Sequence, residues 1–278
     1  SLLSRVFRMR SIPKALTIAG SDSAGCAGIQ ADLKTFAALG VHGMSVVTSV
    51  TAQDTRHVDM FSNLPLENIR RQLEVVVEDI GIDVVKTGML PSADIVDLIA
   101  DKIEDVGCEY LIVDPVLASG GGDPLVQSAA IEVLKNKLFP QALVVTPNLH
   151  EAELLTGKKI KNQDQLEEVV KEILKFGSQS VVVKGGHSED PLYCIDYFSD
   201  GHQLLKFQAD RVDTQNTHGS GCTFASAIAA FLAQGLDLTE SIAEAKNYVT
   251  GAIRHSLSIG HGGGPLGHFW RQRQEDAD

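Results

Sequence analysis

Residues 14–36 read KALTIAGSDSAGCAGIQADLKTF, and this stretch decides the fold. Ala15–Ala19 is a short apolar run typical of a buried strand, and the glycines and serines of residues 20–28 follow it as a loop. A helix is predicted directly after that loop. A strand, a small-residue loop and a helix in this order open a βαβ unit, whose loop lies at the carboxyl end of a parallel sheet, where α/β proteins bind ligands.

The same alternation continues along the chain to about Ser256. Helical spacing of apolar residues predicts helices over Gln163–Phe176, stopped by Gly177, and between Ser92 and Gly107. The pattern predicts a doubly wound, mostly parallel sheet with helices on both faces. Five further apolar runs rich in β-branched residues are predicted as buried parallel strands: Ser45–Val50, Val84–Thr87, Tyr110–Val113, Leu143–Thr146 and Ser180–Val183.

One segment departs from the parallel pattern. Tyr193–Phe198 and Gln203–Ala209 are strand-like and are joined by Asp200-Gly201, a strong hairpin turn signal. We therefore expect a small antiparallel hairpin at one edge of the sheet. Without an internal repeat or a linker-like tract, the chain is predicted to have an extension at 1–12, one domain at 13–268 and a polar tail at 269–278. The stretch from Gly260 onward is Gly-rich and then charged, and it is predicted to lie on the surface.

Composition excludes several classes of function. The chain has 278 residues and a net charge of −12, which argues against a nucleic-acid partner. No apolar run is long enough to span a membrane. The four cysteines are widely spaced without a CxxC pair, which favours a reducing cytoplasm. Residues 1–10 are Arg-rich and acid-free, so a frayed extension and a transit-peptide remnant, which would allow a plastid location, both stay open.

The strongest functional signal is NTHGSGCTFA at 216–225. Its small residues lead directly into an apolar helix, and the unpaired amides and dipole at such a helix start favour bound phosphate. Cys222 would lie at that terminus, where a thiolate is stabilised. A helix start whose cysteine merely packs is an equally good interpretation of the spacing alone.

Two nucleotide motifs are excluded, and one acidic residue is ambiguous. The chain has no GxxxxGK[ST] motif, so it is not a P-loop enzyme. A GxGxxG at Gly262, Gly264 and Gly267 follows no predicted strand, contains Pro265 and is rejected as a dinucleotide site. Asp32 in the first predicted helix more often complements the helix dipole than binds a ligand.

Seven ordered motifs give the sequence a specific resemblance over about residues 13–268. Together they resemble the bacterial and plant hydroxymethylpyrimidine and hydroxymethylpyrimidine-phosphate kinases of thiamin synthesis. The resemblance implies a ribokinase-like α/β fold, Mg²⁺ and ATP as cofactors, and a homodimer. The motifs are GSDSAGCAGIQADLKTF at 20–36, TAQDT at 51–55, KTGML at 86–90, VDPV at 113–116, TPNLHEAELLTG at 146–157, VKGGH at 183–187 and NTHGSGCTFA at 216–225.

The resemblance also implies roles at individual positions on the substrate side. Gln53 would pair with the pyrimidine ring nitrogen and its amine, since an amide offers both a donor and an acceptor. Asp32 would contact the substrate's hydroxymethyl or amine end, Met89 would pack on the ring, and Gly20 would line the substrate site. His187 and His218 are given no role, because such histidines are more often structural.

On the phosphate side, the resemblance implies a metal and nucleotide site. Glu151 and Asp114 would serve Mg²⁺, whose preferred ligands are oxygens and retained waters. The amides of Gly219, Ser220 and Gly221 would hold the γ-phosphoryl oxygens, and Cys222 would act as the base for the substrate alcohol. The residues implied to contact ATP are Lys184, Asn148 and Thr217.

Two alternative functions remain open on the same scaffold. A pyridoxal or pyridoxine kinase is one of them, although Gln53 favours an aminopyrimidine over pyridoxal. A non-catalytic ligand-binding relative is the other, and the intact set of Asp32, Glu151, Lys184 and Cys222 argues against it.

Overall fold

A nine-stranded mixed sheet forms the centre of the protein in the computed structural model, which describes residues 11–120, 122–185 and 190–275. His187 and residues 1–10 lie outside the described residues. The strands are β1 Lys14–Asp22, β2 His42–Gln53, β3 Val58–Asn63, β4 Val84–Thr87, β5 Leu111–Val113, β6 Val144–Val145, β7 Val181–Val183, β8 Tyr193–Ser199 and β9 Leu204–Asp210. The helices are α1 Gly28–Ala38, α2 Leu66–Asp79, α3 Ala93–Val106, α4 Ser128–Val133, a π-helical turn Leu134–Leu138, a 3-10 turn Phe139–Gln141, α5 Leu149–Thr156, α6 Gln163–Lys175, α7 Ser220–Ala233, α8 Leu238–Arg254 and α9 Trp270–Glu275.

The strand order is β3-β2-β1-β4-β5-β6-β7-β8-β9. The six strands from β2 to β7 pair in parallel, as predicted, and β8–β9 is the predicted antiparallel hairpin at one edge. No strand was predicted at β3, which pairs antiparallel to β2 at the opposite edge. Because most of β3 is exposed, it lacks the buried apolar pattern on which strand prediction depends.

Successive residues of the central strands point to opposite faces of the sheet and build two separate cores. Ala15 and Val84 pack under α1, α7 and α8, whereas their neighbours Leu16 and Val85 pack under α2, α3 and α4. A third, smaller core joins α5 and α6 to Val181 and Val183. The continuously apolar strands predicted from the sequence therefore reflect burial on both faces.

Helix ends largely follow the sequence signals. Gly107 takes a left-handed conformation (φ +68°) directly after α3, and Asn162 caps α6 by accepting a hydrogen bond from Gln165 N at 2.9 Å. Ser92 stands at the cap position of α3 as expected. Its hydroxyl, however, donates to the Asp94 carboxylate instead of capping a backbone amide.

The segment after Gly260 is more buried than the sequence predicts. Leu266 and His268 are buried, and the His268 Nε2 lies 2.9 Å from the Thr223 hydroxyl in α7. Trp270 stacks on His255 with ring centroids 5.7 Å apart and packs against the core. The expectation of a surface tail is wrong for these residues, because their apolar and aromatic side chains cover the outer face of α8.

Two further sequence expectations concern membranes and cysteines. Within the described residues, no helix combines the length and apolar character needed to cross a bilayer. All four cysteines are free thiols, as expected from their spacing.

Gly251 tests the packing of this C-terminal segment on α8. A Cβ at Gly251 would lie 2.2 Å from Cζ2 of Trp270, so Gly251→Ala must displace the indole ring. We expect the free energy of unfolding to fall by about 1–3 kcal/mol. Because Trp270 is the only tryptophan, its fluorescence emission should shift to longer wavelength. Asn247→Ala, an exposed position on the same helix, is the control, and equal stability of the two variants would contradict this packing.

Candidate active site

One large cavity opens at the carboxyl ends of the parallel strands. Strand order reverses between β1 and β4, where one connection leaves to each side of the sheet, and such a point opens a crevice for ligands. The cavity has a volume of about 1170 Å³, enough for more than one small molecule. Each central strand contributes a residue at its end: Gly20 and Asp22 from β1, Gly88 and Met89 after β4, Asp114 after β5, Asn148 after β6 and Lys184 after β7.

The predicted anion loop lines this cavity at the start of α7. Gly219 adopts φ +85°, and a Cβ there would lie 1.9 Å from the Cys26 carbonyl oxygen, so glycine is required. The Ser220 amide donates to the Thr217 carbonyl at 3.1 Å in this structure, and its predicted use for phosphate stays a prediction. Gly221 and Cys222 supply the first-turn amides that a helix leaves without an internal acceptor.

Cys222 lines the cavity beside these amides but does not have the expected acidity. Burial raises the pKa of Cys222 to about 11, although the nearby Lys86 ammonium lowers it in part. Loss of water around the sulfur is the largest influence, and it favours the neutral thiol over the thiolate that the sequence predicts at this helix terminus.

An acidic and basic cluster lies on the other side of the anion loop. Asn148 and Glu151 form a reciprocal capping box at the start of α5, with Glu151 N donating to Asn148 Oδ1 at 2.7 Å and Asn148 N donating to Glu151 Oε1 at 2.9 Å. Asp114 accepts from Lys184 Nζ at 3.2 Å. The NxxE spacing is thus explained by the capping box at the start of α5. The same arrangement places Glu151 in the cavity lining.

The two carboxylates of this cluster are buried close to one cation. Burial raises the pKa of Glu151 to about 7 against the lowering influence of Lys184, and the Asp114 charge raises it further. Burial lowers the pKa of Lys184, but Asp114 and Glu151 together raise it more. Two carboxylates and one ammonium leave this part of the cavity with excess negative charge, which suits a divalent cation.

Three of the four predicted substrate residues, Gln53, Met89 and Gly20, line the same cavity. Gln53 Nε2 lies 3.1 Å from His218 Nε2. Because burial lowers the pKa of His218, this ring nitrogen accepts the amide hydrogen, and the ring proton lies on Nδ1. A Cβ at Gly20 would lie 2.4 Å from Met89 Cε, so the absence of a side chain lets Met89 extend over the cavity floor.

Asp32 does not lie in the cavity. Its carboxylate is fully buried and accepts hydrogen bonds from Thr17, Lys86 and Ser226. The predicted contact of Asp32 with substrate is wrong, because α1 turns this side chain into the interior.

Several residues that line the cavity were not singled out from the sequence. His218 was left without a role, although its place within the anion motif could have drawn attention to it. Gly262, in the rejected GxGxxG, lines the cavity rim and donates to Thr55 Oγ1 at 3.1 Å. Elsewhere in the cavity lining, Lys246 Nζ donates to Asp196 Oδ2 at 2.9 Å and lies 3.3 Å from Cys194 Sγ. No short motif marks this last group, since its members lie on β8 and α8.

The fold and this site define the chain as a small-molecule kinase of the ribokinase type. The sequence model of the family described as phosphomethylpyrimidine kinase matches residues 22–267. The chain belongs to this family, which confirms the resemblance, the fold class and the phosphotransferase activity predicted from the sequence.

Curated relatives support the same assignment. The chain is 44% identical over 259 residues to the hydroxymethylpyrimidine/phosphomethylpyrimidine kinase of Bacillus subtilis, covering 93% of this chain and 96% of that protein. It is 47% identical over 256 residues to the thiamine biosynthesis bifunctional protein ThiED of Geobacter sulfurreducens, covering 91% of this chain. The match spans 52% of that longer protein.

Solved structures show the same fold. An ADP complex of Bacillus subtilis pyridoxal kinase has a TM-score of 0.87 and 38% identity, covering 95% of this chain and all of that one. The phosphomethylpyrimidine kinase of Clostridium difficile has a TM-score of 0.77 and 42% identity, covering 86% of this chain and 99% of that one. The scaffold is therefore shared by kinases named for two different heterocycles.

A pair of glycine variants tests the geometry of the anion loop. Gly219→Ala places a Cβ against a backbone carbonyl, whereas Gly221→Ala places one 3.0 Å from the flexible end of Lys184. We expect Gly219→Ala to lower the free energy of unfolding by about 1–3 kcal/mol and to slow phosphoryl transfer about 100-fold by misplacing the loop. Gly221→Ala should cost much less stability. Thermal unfolding and ATP turnover measure both effects, and wild-type stability of Gly219→Ala would contradict the contact with Cys26.

Proposed function

We propose that this protein transfers the γ-phosphoryl group of ATP to the alcohol of 4-amino-5-hydroxymethyl-2-methylpyrimidine and then to the resulting monophosphate, as in thiamin synthesis. The observation that carries the proposal is the joining of three groups in one cavity. An amide paired with a neutral imidazole stands at one end, a helix N-terminus lies in the middle, and a carboxylate–lysine cluster stands at the other.

ATP fits the end of the cavity that holds Lys184, Asn148 and Thr217. Lys184 pairs with Asp114 in this structure and is close enough to the anion loop that a Cβ on Gly221 would meet its Nζ at 3.0 Å. This position supports a bridge between the lysine and the transferred phosphate. Solved relatives in complex with ADP and AMP-PCP are consistent with nucleotide binding to this scaffold.

Asp114 and Glu151 fit Mg²⁺. Both are buried carboxylates, and burial together with the Asp114 charge raises the pKa of Glu151, so a divalent ion beside these carboxylates would favour their ionised forms. The described residues offer no cluster of three or more candidate ligands, so two carboxylates, phosphate oxygens and waters would complete the coordination that Mg²⁺ prefers. When bound, the ion would neutralise charge on the phosphates.

In the alcohol step, the amides of Gly221 and Cys222 hold the γ-phosphoryl oxygens while the hydroxyl oxygen attacks phosphorus. A P–O bond forms to the substrate, the bond to the β-phosphate oxygen breaks and ADP leaves. The hydroxyl proton passes to the Cys222 sulfur and later to water. Because the pKa of Cys222 is about 11, only a small share of the resting enzyme carries the thiolate near neutral pH.

The second step differs in its acceptor. The monophosphate is already an anion near neutral pH, so its oxygen can attack without losing a proton to the enzyme. Positioning and charge stabilisation by the helix terminus and Lys184 are then sufficient.

A pyridoxal kinase activity is the second candidate, because solved structures named as pyridoxal kinases share this fold with one named as a phosphomethylpyrimidine kinase. Gln53 discriminates between them. Its amide can satisfy an adjacent ring nitrogen and exocyclic amine together, a pair that the aminopyrimidine has and pyridoxal lacks. A non-catalytic role would require loss of the polar groups of the cavity, and these are all present.

A homodimer and a cytoplasmic location complete the proposal. Val50 on β2 and Met60 and Phe61 on the edge strand β3 are exposed apolar residues, and such an edge is commonly covered by a partner. The net charge of −12 supports a small-molecule partner over nucleic acid.

Gln53→Met tests substrate recognition. The thioether keeps the length of the side chain but removes its donor and acceptor, so the ring's polar groups lose their partners. Calorimetry should show pyrimidine binding weakened by about 1–3 kcal/mol, with affinity for an ATP analogue unchanged. Gln203→Met, at an exposed hairpin turn outside the cavity, is the matched control. Undiminished pyrimidine affinity in Gln53→Met would refute the assignment.

Cys222→Ala tests the base. Phosphorylation of the alcohol should slow by about 10²–10⁴-fold, and phosphorylation of the monophosphate should slow much less. The deprotonated sulfur is the active form and its pKa lies above the assay range, so the wild-type alcohol rate should rise with pH from about 7 to 9. This rise should disappear in Cys222→Ala.

The control for this experiment is Cys108→Ala, a cysteine outside the cavity, which should retain the wild-type profile in both steps. Equal losses in the two steps for Cys222→Ala would show that the cysteine only packs at the helix terminus.

A further inference from the structure

Lys86 and Asp32 form an ion pair that is completely shielded from solvent. Lys86 Nζ lies 3.0 Å from each oxygen of the Asp32 carboxylate, and both side chains have no exposed surface. A buried ion pair gains little stability over well-packed apolar residues, because removing both charges from water offsets their attraction. Stability alone therefore does not account for charges at these two positions.

The other partners of Asp32 tie the pair to the candidate active site. Thr17 Oγ1 donates to Asp32 Oδ2 at 2.6 Å, and Ser226 Oγ donates to Oδ1 at 2.6 Å. Ser226 lies four residues after Cys222 on α7, so the two side chains share a face of that helix. Asp32 thus fixes both the amino-terminal turns of α7 and the position of the Lys86 ammonium.

Gly88 shows how near Lys86 comes to the cavity. A Cβ at Gly88 would lie 3.0 Å from Lys86 Nζ, and Gly88 itself lines the cavity. The ammonium therefore lies directly behind the cavity wall, at the carboxyl end of β4, and its hydrogen bonds to Asp32 keep it there.

We propose that Lys86 is a positioning residue for phosphoryl transfer: held by Asp32, its ammonium supplies the positive charge that balances negative charge on the Cys222 sulfur. The proposal rests on the base role given to Cys222 in the proposed function. It gives a role to a lysine that is buried directly behind the cavity wall.

Four charged groups act on Cys222 from the elements around it. Lys86 from β4 and Lys184 after β7 favour the thiolate, while Asp32 from α1 and Asp114 after β5 oppose it. Lys184 is paired with Asp114 and faces the proposed phosphate site, so its charge is shared with other groups. Lys86 is fully buried and does not line the cavity, so its charge, offset in part by Asp32, acts on the sulfur whether or not a ligand is bound.

Two variants isolate the charge of Lys86. Asp32→Asn removes the opposing carboxylate and keeps the lysine, and the double variant Lys86→Met/Asp32→Asn then removes the lysine without leaving a buried charge unpaired. The readout is the rate of iodoacetamide alkylation of Cys222 against pH, resolved by mass spectrometry of the peptide that contains Cys222. Only the thiolate reacts, so the profile gives the pKa of this thiol without any substrate.

We expect Cys222 to be alkylated faster in Asp32→Asn than in wild type at pH 8.5. In the double variant, alkylation of Cys222 should be about tenfold slower than in Asp32→Asn, which corresponds to a shift of about one unit in the pKa of the thiol. The control is Lys246→Met/Asp196→Asn, which neutralises another lysine–aspartate pair of the cavity region and should leave the Cys222 profile unmoved. Circular dichroism confirms that each variant is folded at the assay temperature.

Identical profiles for Asp32→Asn and the double variant would overturn the proposal, as would an equal change in the control pair. If the double variant does not fold, Asp32→Asn alone tests the proposal. An alkylation rate of Cys222 in Asp32→Asn that is equal to or slower than the wild-type rate would contradict a lysine charge that acts on the sulfur. The alkylation result does not depend on the pyrimidine being the substrate. Failure of the proposed function would instead appear as absence of phosphorylated product while the thiol profile still shifts.

Discussion

The divergence of chain connections on either side of β1 is the constraint on which the site depends. The chain passes from β1 to β2 on one side and reaches β4 on the other only after β3 and α2, so the connections diverge at the carboxyl ends of β1 and β4. Every parallel strand from β1 to β7 ends at that edge of the sheet. Residues far apart in sequence, such as Gln53 and Lys184, therefore line the same cavity, each held by a strand that is buried on both faces.

This constraint explains why the fold was largely predictable from the sequence. The parallel strands are continuous apolar runs because both faces are covered, and that signal is local. β3 was missed because its exposed residues carry no such pattern, although it completes the edge beside Gln53. The burial of Leu266 and His268 was missed for the opposite reason: glycines on either side resemble a surface loop, whereas the contacts that bury these residues come from α7 and α8.

The candidate site was predictable where a residue's role follows from its own loop and not where it depends on a distant charge. The requirement for glycine at 219 follows from a turn at a helix start, and the NxxE spacing follows from a capping box. Asp32 at a helix start could equally complement the dipole or bind a ligand. Its actual partner, Lys86, is 54 residues away and lies on β4, so no local pattern distinguishes these interpretations.

Burial makes the same cavity both favourable and costly for the chemistry. Exclusion of water strengthens every hydrogen bond from the α7 amides to a phosphate, yet it also disfavours the ionised forms of Cys222 and Glu151. Two lysines supply positive charge to these groups. Lys86 lies behind the cavity wall near the sulfur, and Lys184 lies between Asp114 and the anion loop. Since the cavity wall and not the ligand fixes these charges, a related kinase could change its heterocycle at Gln53 while the transfer machinery stays in place. That separation is consistent with one scaffold serving both pyrimidine and pyridoxal kinases.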